Sequence, residues 1–329
     1  MQLSLRLTPL PLSRRSGRGD PLPRMGQLIT LTQPDGRSGR GSWAPLGSNP
    51  AGTTVTPALP NPWTVPRAKL DRQALEAWIR AIPADAPPSM ACLGFALGSA
   101  LGELDGLWRS PLPPLEPVGL LQEGAAALAS LPTLQAQGIR RFKWKVAGAG
   151  LAAPEEQRLL TALLAQLPAD SELRLDANGL WDPATCRGWL RILEDEPRIR
   201  WIEQPLAVDD PMLPELIATH GHRLALDESL ANLRLLDVWL HRAMPAYLVL
   251  RASQLGDPRR LMDRIAAHPG RLVISTAFEG ALARPVLDHL GGLAVASGAP
   301  APGLAVGVAM EPETCWPATA AGSNERVGG

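Results

Sequence analysis

The sequence predicts an α/β protein in two parts. A (β/α) barrel over residues 106–310 carries an N-terminal α+β capping domain over 1–105, with a C-terminal tail over 311–329. Three observations predict it. From about residue 117 the chain repeats one unit, a short apolar strand followed by an amphipathic helix. Helices between successive strands mean parallel βαβ units, and roughly seven or eight of them in about 200 residues suit a closed barrel better than an open sheet. No glycine-rich phosphate fingerprint follows the first of these strands, which counts against a dinucleotide-binding fold.

The first 67 residues are rich in Gly, Pro and Arg. Strand-like pieces occur at Gln2–Leu7, Gln27–Thr32 and Gly39–Trp43, separated by turn-rich stretches such as Pro34-Asp35-Gly36. Two helices follow. Over Leu70–Ile82, the residues Leu70, Leu75, Trp78, Ile79 and Ile82 fall close to one face. Pro88–Leu104 is rich in small residues with almost no polar face, which predicts a buried helix. The barrel strands are then Val118–Leu121, Arg141–Val146, Leu173–Asp176, Arg200–Glu203, Arg223–Asp227, Ala246–Arg251 and Arg271–Thr276. One helix running to Gln137 and further helices over Pro154–Leu167, Pro183–Glu194, Pro211–His220, Asn232–Arg242 and Pro258–His268 connect them. Leu290–Met310 is uncharged over 21 residues but holds two prolines and five glycines, so it reads as loop–strand–loop and not as a membrane span. Glu311–Gly329 reads as a frayed tail.

Lys+Arg and Asp+Glu balance at 32 each, for a net charge of zero. That balance argues against a general nucleic-acid or anionic-membrane binder. Cys92, Cys186 and Cys315 are widely spaced and in no metal-ligand pattern, so they read as small buried residues of a reducing compartment. No N-terminal apolar stretch resembles a signal peptide. The first 19 residues hold four arginines and no acid, a faint transit-peptide sign, but Met1–Arg6 alternates polar and apolar residues and reads as a first strand. The expectation is a soluble, cytoplasmic protein. Its positive charge is lopsided. Of 32 basic residues only Lys69, Lys143 and Lys145 are lysine, leaving 29 arginines, and two of the three lysines stand two apart. Lysine can lose its proton near neutral pH where its surroundings lower its pKa, whereas arginine cannot.

In a βα barrel the reacting groups stand at the C-terminal ends of the strands. Those ends carry Lys143-Trp144-Lys145, Asp176-Ala177-Asn178, Glu203-Gln204-Pro205, Asp227-Glu228-Ser229, Arg251 and Ser275-Thr276. From Lys145 onward the steps are 31, 27, 24, 24 and 24 residues, each about one βα unit. Strand alternation puts Lys143 and Lys145 on one face and Trp144 on the other. Asp176, Glu203 and Asp227 then converge on one pole. For any single acid the plain alternative is a helix N-cap, a position Asp favours. Three acids on consecutive strands, flanked by a lysine pair and an arginine, outweigh it. Oxygen-only ligands favour Mg²⁺ before Mn²⁺ and argue against zinc. A divalent cation holding a carboxylate substrate stabilises the enediolate formed when the neighbouring C–H loses its proton, with a lysine as base.

These segments resemble the enolase superfamily, a modified TIM barrel behind a capping domain, and within it the o-succinylbenzoate synthases. The resemblance rests on Phe142-Lys143-Trp144-Lys145-Val146, Leu173–Gly179, Trp201–Leu206 and Leu226–Leu230, with Ile274–Gly280, Pro302-Gly303-Leu304, the helix Pro88–Leu104 and Trp43–Leu46. It implies an Mg²⁺-dependent dehydration of 2-succinyl-6-hydroxy-2,4-cyclohexadiene-1-carboxylate to o-succinylbenzoate, in menaquinone or phylloquinone biosynthesis. The substrate is a small dicarboxylate, and the chain is a monomer or dimer. Lys145 would abstract the proton and help hydroxide leave from the same face, with Lys143 assisting electrostatically. Asp176, Glu203 and Asp227 would bind the metal, supported by Asn178 and Glu228. Asn178, Ser275 and Thr276 line the substrate side, the last two as holders of the succinyl carboxylate.

The family usually has a second lysine where this chain has Arg251. Racemases and epimerases of the superfamily need a base on each face of the substrate carbon, and arginine is a poor base. The substitution disfavours an N-succinylamino-acid racemase and leaves the one-base synthase intact, with a guanidinium able to lie over a planar ring. A muconate-type cycloisomerase is the nearest rival, and a non-catalytic scaffold is the reading from another class. Ser13–Met25 would be the loop closing over the site, with Arg14, Arg15, Arg18 and Arg24 facing either a dicarboxylate or solvent. His220-Gly221-His222 reads as surface decoration at the opposite pole, and the ten tryptophans as core.

Overall fold

Two sheets organise the chain in this computed structural model, which describes residues 1–15, 21–46, 59, 63, 67–109, 112–148, 150–242 and 244–304. The first sheet is antiparallel. Its strands are β1 (Gln2–Arg15), β2 (Pro21–Thr32), β3 (Ser38–Trp43) and β4 (Arg67–Asp71), in the order β3-β2-β1-β4. The alternation of Met1–Arg6 does build a strand, but β1 and β2 pair far beyond it, from Ser4 with Thr32 to Arg15 with Pro21. Most of the expected loop Ser13–Met25 is therefore the end of a long hairpin. Four prolines hid it: Pro9, Pro11, Pro21 and Pro23 each lack a donor N–H. Pro9 and Pro11 are tolerated because β4 pairs only with Gln2–Leu5, leaving an edge beyond. Arg18 and the side chains of Arg14, Arg15 and Arg24 lie outside the described residues.

Two helices complete this part. α1 (Arg72–Arg80) starts later than the sequence suggests because Leu70 is taken into β4, opposite Leu3. Asp71 caps it, accepting Ala74 N–H at 2.9 Å. α2 (Pro88–Leu104) is buried nearly throughout, as its missing polar face predicts. It lies so close to β3 that a Cβ on Gly41 would stand 1.8 Å from the Ala96 carbonyl oxygen. Glu103 on α2 takes Arg40 N–H and Nη2 at 2.6 Å each, which fixes that contact.

The second sheet is parallel, with strands β5 (Val118–Leu121), β6 (Arg141–Lys145), β7 (Glu172–Asp176), β8 (Ile199–Glu203), β9 (Leu224–Leu226), β10 (Tyr247–Arg251) and β11 (Leu272–Ser275) in sequence order. Helices α3 (Ala126–Ala136), α4 (Ala153–Gln166), α5 (Pro183–Asp195), α6 (Leu213–His220), α7 (Leu233–His241) and α8 (Pro258–Ala267) connect the strands, and α9 (Arg284–Ala296) follows β11. The sheet curls: one cavity is lined by Val118 and Leu120 of β5 and by Ser275 of β11, the two ends of the ladder. Beyond β11 a parallel bridge joins Ser275 to Gly303. Residues 305–329, with the expected tail and Cys315, lie outside the described part.

The reading of Leu290–Met310 as loop–strand–loop is corrected over its first third, since Leu290–Ala296 belongs to α9. Gly291 and Gly292 look like helix breakers, yet Gly292 is required there: an added Cβ would meet the Leu112 side chain at 2.7 Å. Tertiary contact overrides propensity at this point.

Trp144 packs into the strand–helix core, fully buried with Trp189. The foot of the barrel is filled by Trp201, Ala225, Val249 and Val273, with the Arg174 guanidinium 4.4 Å over the Trp201 ring. Cys92 and Cys186 are buried, and His222 is exposed, each as expected. Among the described residues no helix is long and apolar enough to cross a membrane.

Candidate active site

The last residues of adjacent strands fall level with one another. Lys145 pairs with Asp176, and Asp176 with Glu203, across β6, β7 and β8. Arg251 pairs with Ser275 across β10 and β11. Alternation along β6 sends Phe142 and Trp144 into the core and leaves Lys143 and Lys145 on the cavity. The same cavity is lined by Asp176, Asn178, Asp227, Arg251, Ser275 and Thr276. Glu203 reaches it through Lys143, and Glu228 through Arg251. The expected residues are thus brought to one pole.

They are not equivalent there. The Lys143 ammonium sits between Asp176 Oδ2 at 2.8 Å and Glu203 Oε1 at 2.7 Å. Burial alone would lower its pKa, but Asp176, Glu203 and Asp227 outweigh burial and hold it above the ordinary lysine value. Lys145, two residues on, makes no salt bridge among the described residues, although Asp176 senses its charge. Arg251 Nη2 donates to Asp227 Oδ2 at 2.5 Å and Glu228 Oε1 at 2.6 Å. Asn178 Nδ2 donates to Glu228 Oε1 at 3.3 Å.

The acids are buried, Asp176 at 1% exposure, Glu203 at 2% and Asp227 at 5%. Burial pushes Asp227 well above the usual carboxylate range, Arg251 opposing and Glu228 adding. Burial also raises Glu203, against Lys143. Asp176 is held low, because Lys143 and Lys145 together overcome its burial. None of these acids caps a helix with its side chain: Asp227 precedes the short 3-10 turn Glu228–Leu230 but makes no cap hydrogen bond through its carboxylate. The caps are other residues: Asp182 accepts from Ala184 and Thr185 N–H, Asn232 from Leu235 N–H and Asp257 from Arg259 N–H. The helix-cap alternative for the three acids therefore fails.

As they stand, no three metal-ligating side chains among the described residues are gathered around one point. Lys143 fills the gap between Asp176 and Glu203, and Arg251 engages Asp227. The donor set nonetheless fits a hard divalent cation: it is all oxygen, buried, and short of positive charge. Four carboxylates (Asp176, Glu203, Asp227, Glu228) face three cations (Lys143, Lys145, Arg251), a balance of 3 − 4 = −1. One Glu228 oxygen is buried without a hydrogen-bond partner. A divalent cation would turn that balance to +1, suited to an anionic ligand.

Sequence reading missed two buried groups that shape the rim. Gln204, fully buried, accepts Asp227 and Ser229 N–H through Oε1 at 3.1 Å each and donates to Leu206 O and Ser229 Oγ through Nε2. It clamps the loop after β8 to the loop after β9. Its signal was present in Glu203-Gln204-Pro205, where only the acid had been given a role. Glu279 accepts Thr276 Oγ1 at 2.7 Å, so the Thr276 hydroxyl is already engaged within its own loop.

The backbone marks the same pole. Among the described residues the non-glycine positions in the left-handed region are Ala147, Asn178, Gln204 and Phe278, at φ +66°, +47°, +38° and +60°. All follow the C-terminal ends of β6, β7, β8 and β11. Asn tolerates this region, but for most residues it costs roughly 1–2 kcal/mol. A side chain holds several of them: Glu156 Oε1 accepts Ala147 N–H at 2.6 Å, Asp176 Oδ1 accepts Asn178 N–H at 3.1 Å, and Thr276 Oγ1 accepts Phe278 N–H at 2.8 Å. Strain of this kind gathers at functional sites.

Comparison with known proteins agrees with this geometry. Residues 126–280 match the family described as Enolase C-terminal domain-like. The o-succinylbenzoate synthase of Thermosynechococcus vestitus (strain NIES-2133 / IAM M-273 / BP-1) is 39% identical over 216 residues, 62% of this chain and 66% of that protein. The chain thus spans just under two thirds of that curated relative. The o-succinylbenzoate synthase of Vibrio cholerae serotype O1 (strain M66-2) is 29% identical over 282 residues, 81% of this chain and 77% of the relative. Among solved structures, the o-succinylbenzoate synthase from Thermosynechococcus elongatus BP-1, complexed with Mg in the active site, superposes with a TM-score of 0.67 at 30% identity, covering 92% of this chain and 96% of that one. The dipeptide epimerase from Methylococcus capsulatus, complexed with Mg and a dipeptide, superposes at TM-score 0.68 and 20% identity over 91% and 88% of the two chains, a likeness of fold alone.

Proposed function

The chain belongs to the enolase superfamily, and on that premise we propose that it is an o-succinylbenzoate synthase. It removes water from 2-succinyl-6-hydroxy-2,4-cyclohexadiene-1-carboxylate to give o-succinylbenzoate, a step of menaquinone or phylloquinone biosynthesis in the cytoplasm. The observation that carries the reading is the unequal treatment of two lysines on one strand. Lys143 is locked between two buried carboxylates, whereas Lys145 faces the cavity without a salt bridge among the described residues.

Their roles follow. Lys143 keeps its proton and holds a fixed positive charge beside the carboxylate into which negative charge flows. Lys145 takes the proton from the carbon next to that carboxylate. The C–O bond to the hydroxyl then breaks, and the same Lys145 ammonium returns the proton to the departing hydroxide as water. Asp176, Glu203 and Asp227 would hold Mg²⁺, or Mn²⁺ in its place. When bound, that ion supplies Lewis-acid charge to the substrate carboxylate. Asn178 and Glu228 orient the Asp176–Asp227 side of the site. Ser275 and Thr276 form the wall that receives the far carboxylate.

Arg251 separates this reaction from racemisation. Its guanidinium is fixed on Asp227 and Glu228 and its pKa is raised further by them, so this strand end offers no base opposite Lys145. The test is loss of the diene absorbance, with and without Mg²⁺, beside proton exchange in both enantiomers of an N-succinylamino acid. Dehydration that depends on Mg²⁺, with exchange confined to one enantiomer, is expected. An untouched diene would overturn the synthase reading, and equal exchange in both enantiomers would overturn the one-base mechanism.

A further inference from the structure

The loop after β11 contains a buried acid that the mechanism does not use. Glu279 is 1% exposed and forms no ion pair among the described residues. Its carboxylate instead takes donors from its own loop, the Thr276 hydroxyl at 2.7 Å and Ala277 N–H at 3.0 Å from each oxygen. The Thr276 hydroxyl in turn accepts Phe278 N–H at 2.8 Å. This strap bends the chain so tightly that Phe278 takes φ +60°, where a bulky aromatic residue rarely sits. It is also tied to the capping part, because Ser42 Oγ at the end of β3 donates to the Glu279 carbonyl at 2.7 Å.

The strained residue lines the cavity. Phe278 lines it together with Leu46 from the capping part and Val118 and Leu120 from β5, beside the charged and polar groups of the other strand ends. We propose that Phe278 is a specificity-determining wall, packing against the hydrocarbon of the substrate, and that Glu279 is the positioning residue that presents it. The proposal rests on the synthase reading, since the hydrocarbon meant is the succinyl-bearing six-membered ring. An apolar wall grips substrate and transition state alike, so its loss shows in binding more than in turnover.

The test uses the full chain with Mg²⁺, following steady-state turnover of the diene and calorimetric binding of the product, o-succinylbenzoate. Phe278→Asn keeps a left-handed backbone at little cost while removing the ring, and Phe278→Tyr keeps the ring. Phe278→Asn is expected to raise KM and the product Kd about tenfold with kcat within about threefold, and Phe278→Tyr to stay within about twofold of wild type. Glu279→Gln leaves one acceptor oxygen where the Thr276 hydroxyl and Ala277 N–H now share two. It is expected to shift KM in the same direction and to add little on the Phe278→Asn background. Should Glu279→Gln not fold, Thr276→Val cuts the hydroxyl link but also alters the carboxylate wall, so it is read through its non-additivity with Phe278→Asn. Phe278→Asn binding product as tightly as wild type would overturn the wall. A fall in kcat at unchanged KM in Glu279→Gln, or full additivity of Thr276→Val with Phe278→Asn in its place, would overturn the positioning role. Wild-type protein that neither turns over the diene nor binds the product would overturn the synthase reading itself, an outcome separate from a normal wild type with an unmoved Phe278→Asn.

Discussion

The two poles of the barrel handle charge in opposite ways. At the N-terminal pole two buried or half-buried arginines take an acid two residues away. Arg198 pairs with Glu196 at 2.7 Å and donates to the carbonyls of Leu164 and Leu167, and Arg174 pairs with Glu172 at 2.8 Å. At the C-terminal pole the pairs span far more chain: Lys143 reaches Asp176 and Glu203, and Arg251 reaches Asp227 and Glu228. The first set fastens strand ends and leaves no net charge behind. The second set, with Lys145 beside it, gathers four carboxylates, three of them buried, against three cations, and is joined by strained backbone at Ala147 and Phe278. Buried charge of that kind costs stability unless something else requires it. The contrast separates groups that keep the barrel together from groups that the reaction uses.

The sharpest way to break this contrast is to remove Lys145, which makes no salt bridge among the described residues. Lys145→Ala is expected to lose roughly a thousandfold in kcat with the fold intact by circular dichroism. Full activity in that variant would end the division of labour between the two lysines. Next in size, Glu203→Gln takes the charge from one of the carboxylates proposed to hold the metal, and calorimetry is expected to show weakened Mg²⁺ binding with roughly a hundredfold loss in kcat/KM. Unchanged Mg²⁺ binding would return Glu203 to a purely structural place beside Lys143.

At the other pole Arg198→Ala is expected to lower stability by about 1 kcal/mol in thermal melts while kcat stays at the wild-type value. A lost rate there would mean that the two poles are coupled. The smallest effect concerns Glu156, whose buried carboxyl holds the Ala147 N–H and is raised by that burial above the ordinary glutamate value of 4.5. A raised carboxyl favours the protonated form in the fold, so its contribution is full below 4.5 and is lost as pH rises through the raised value. Glu156→Gln should flatten that decline by a few tenths of a kcal/mol, read as a smaller drop in melting temperature between about pH 4 and pH 7. An unchanged slope would show that the Ala147 N–H already offsets the burial.

Much of this arrangement was legible in the chain. Spacings of 24–31 residues between Lys145, Asp176, Glu203, Asp227, Arg251 and Ser275 match one βα unit each, and strand alternation assigns each side chain to a face. The order of strands, the helix α2 and the convergence of the acids follow from those local periods. Where local signals conflicted with tertiary need, the reading went astray. Prolines concealed the long β1–β2 hairpin, the counting of Leu70 into the following helix concealed β4, and paired glycines concealed the continuation of α9.

Which chemical groups meet, and at which pole, follows from the local chain, because periodicity and unit length are properties of short windows of residues. What each group does there depends on how the strands curl and pack. Lys143 and Lys145 are alike in sequence and differ because the curl of the sheet brings Asp176 and Glu203 onto one ammonium and not the other. Gln204 and Glu279 gain their roles from loops that the barrel brings into register, and Phe278 faces the cavity only because the Thr276–Glu279 strap holds it in a strained turn. Contacts between side chains on different strands depend on sheet curvature and burial, and neither is written in any short window of residues.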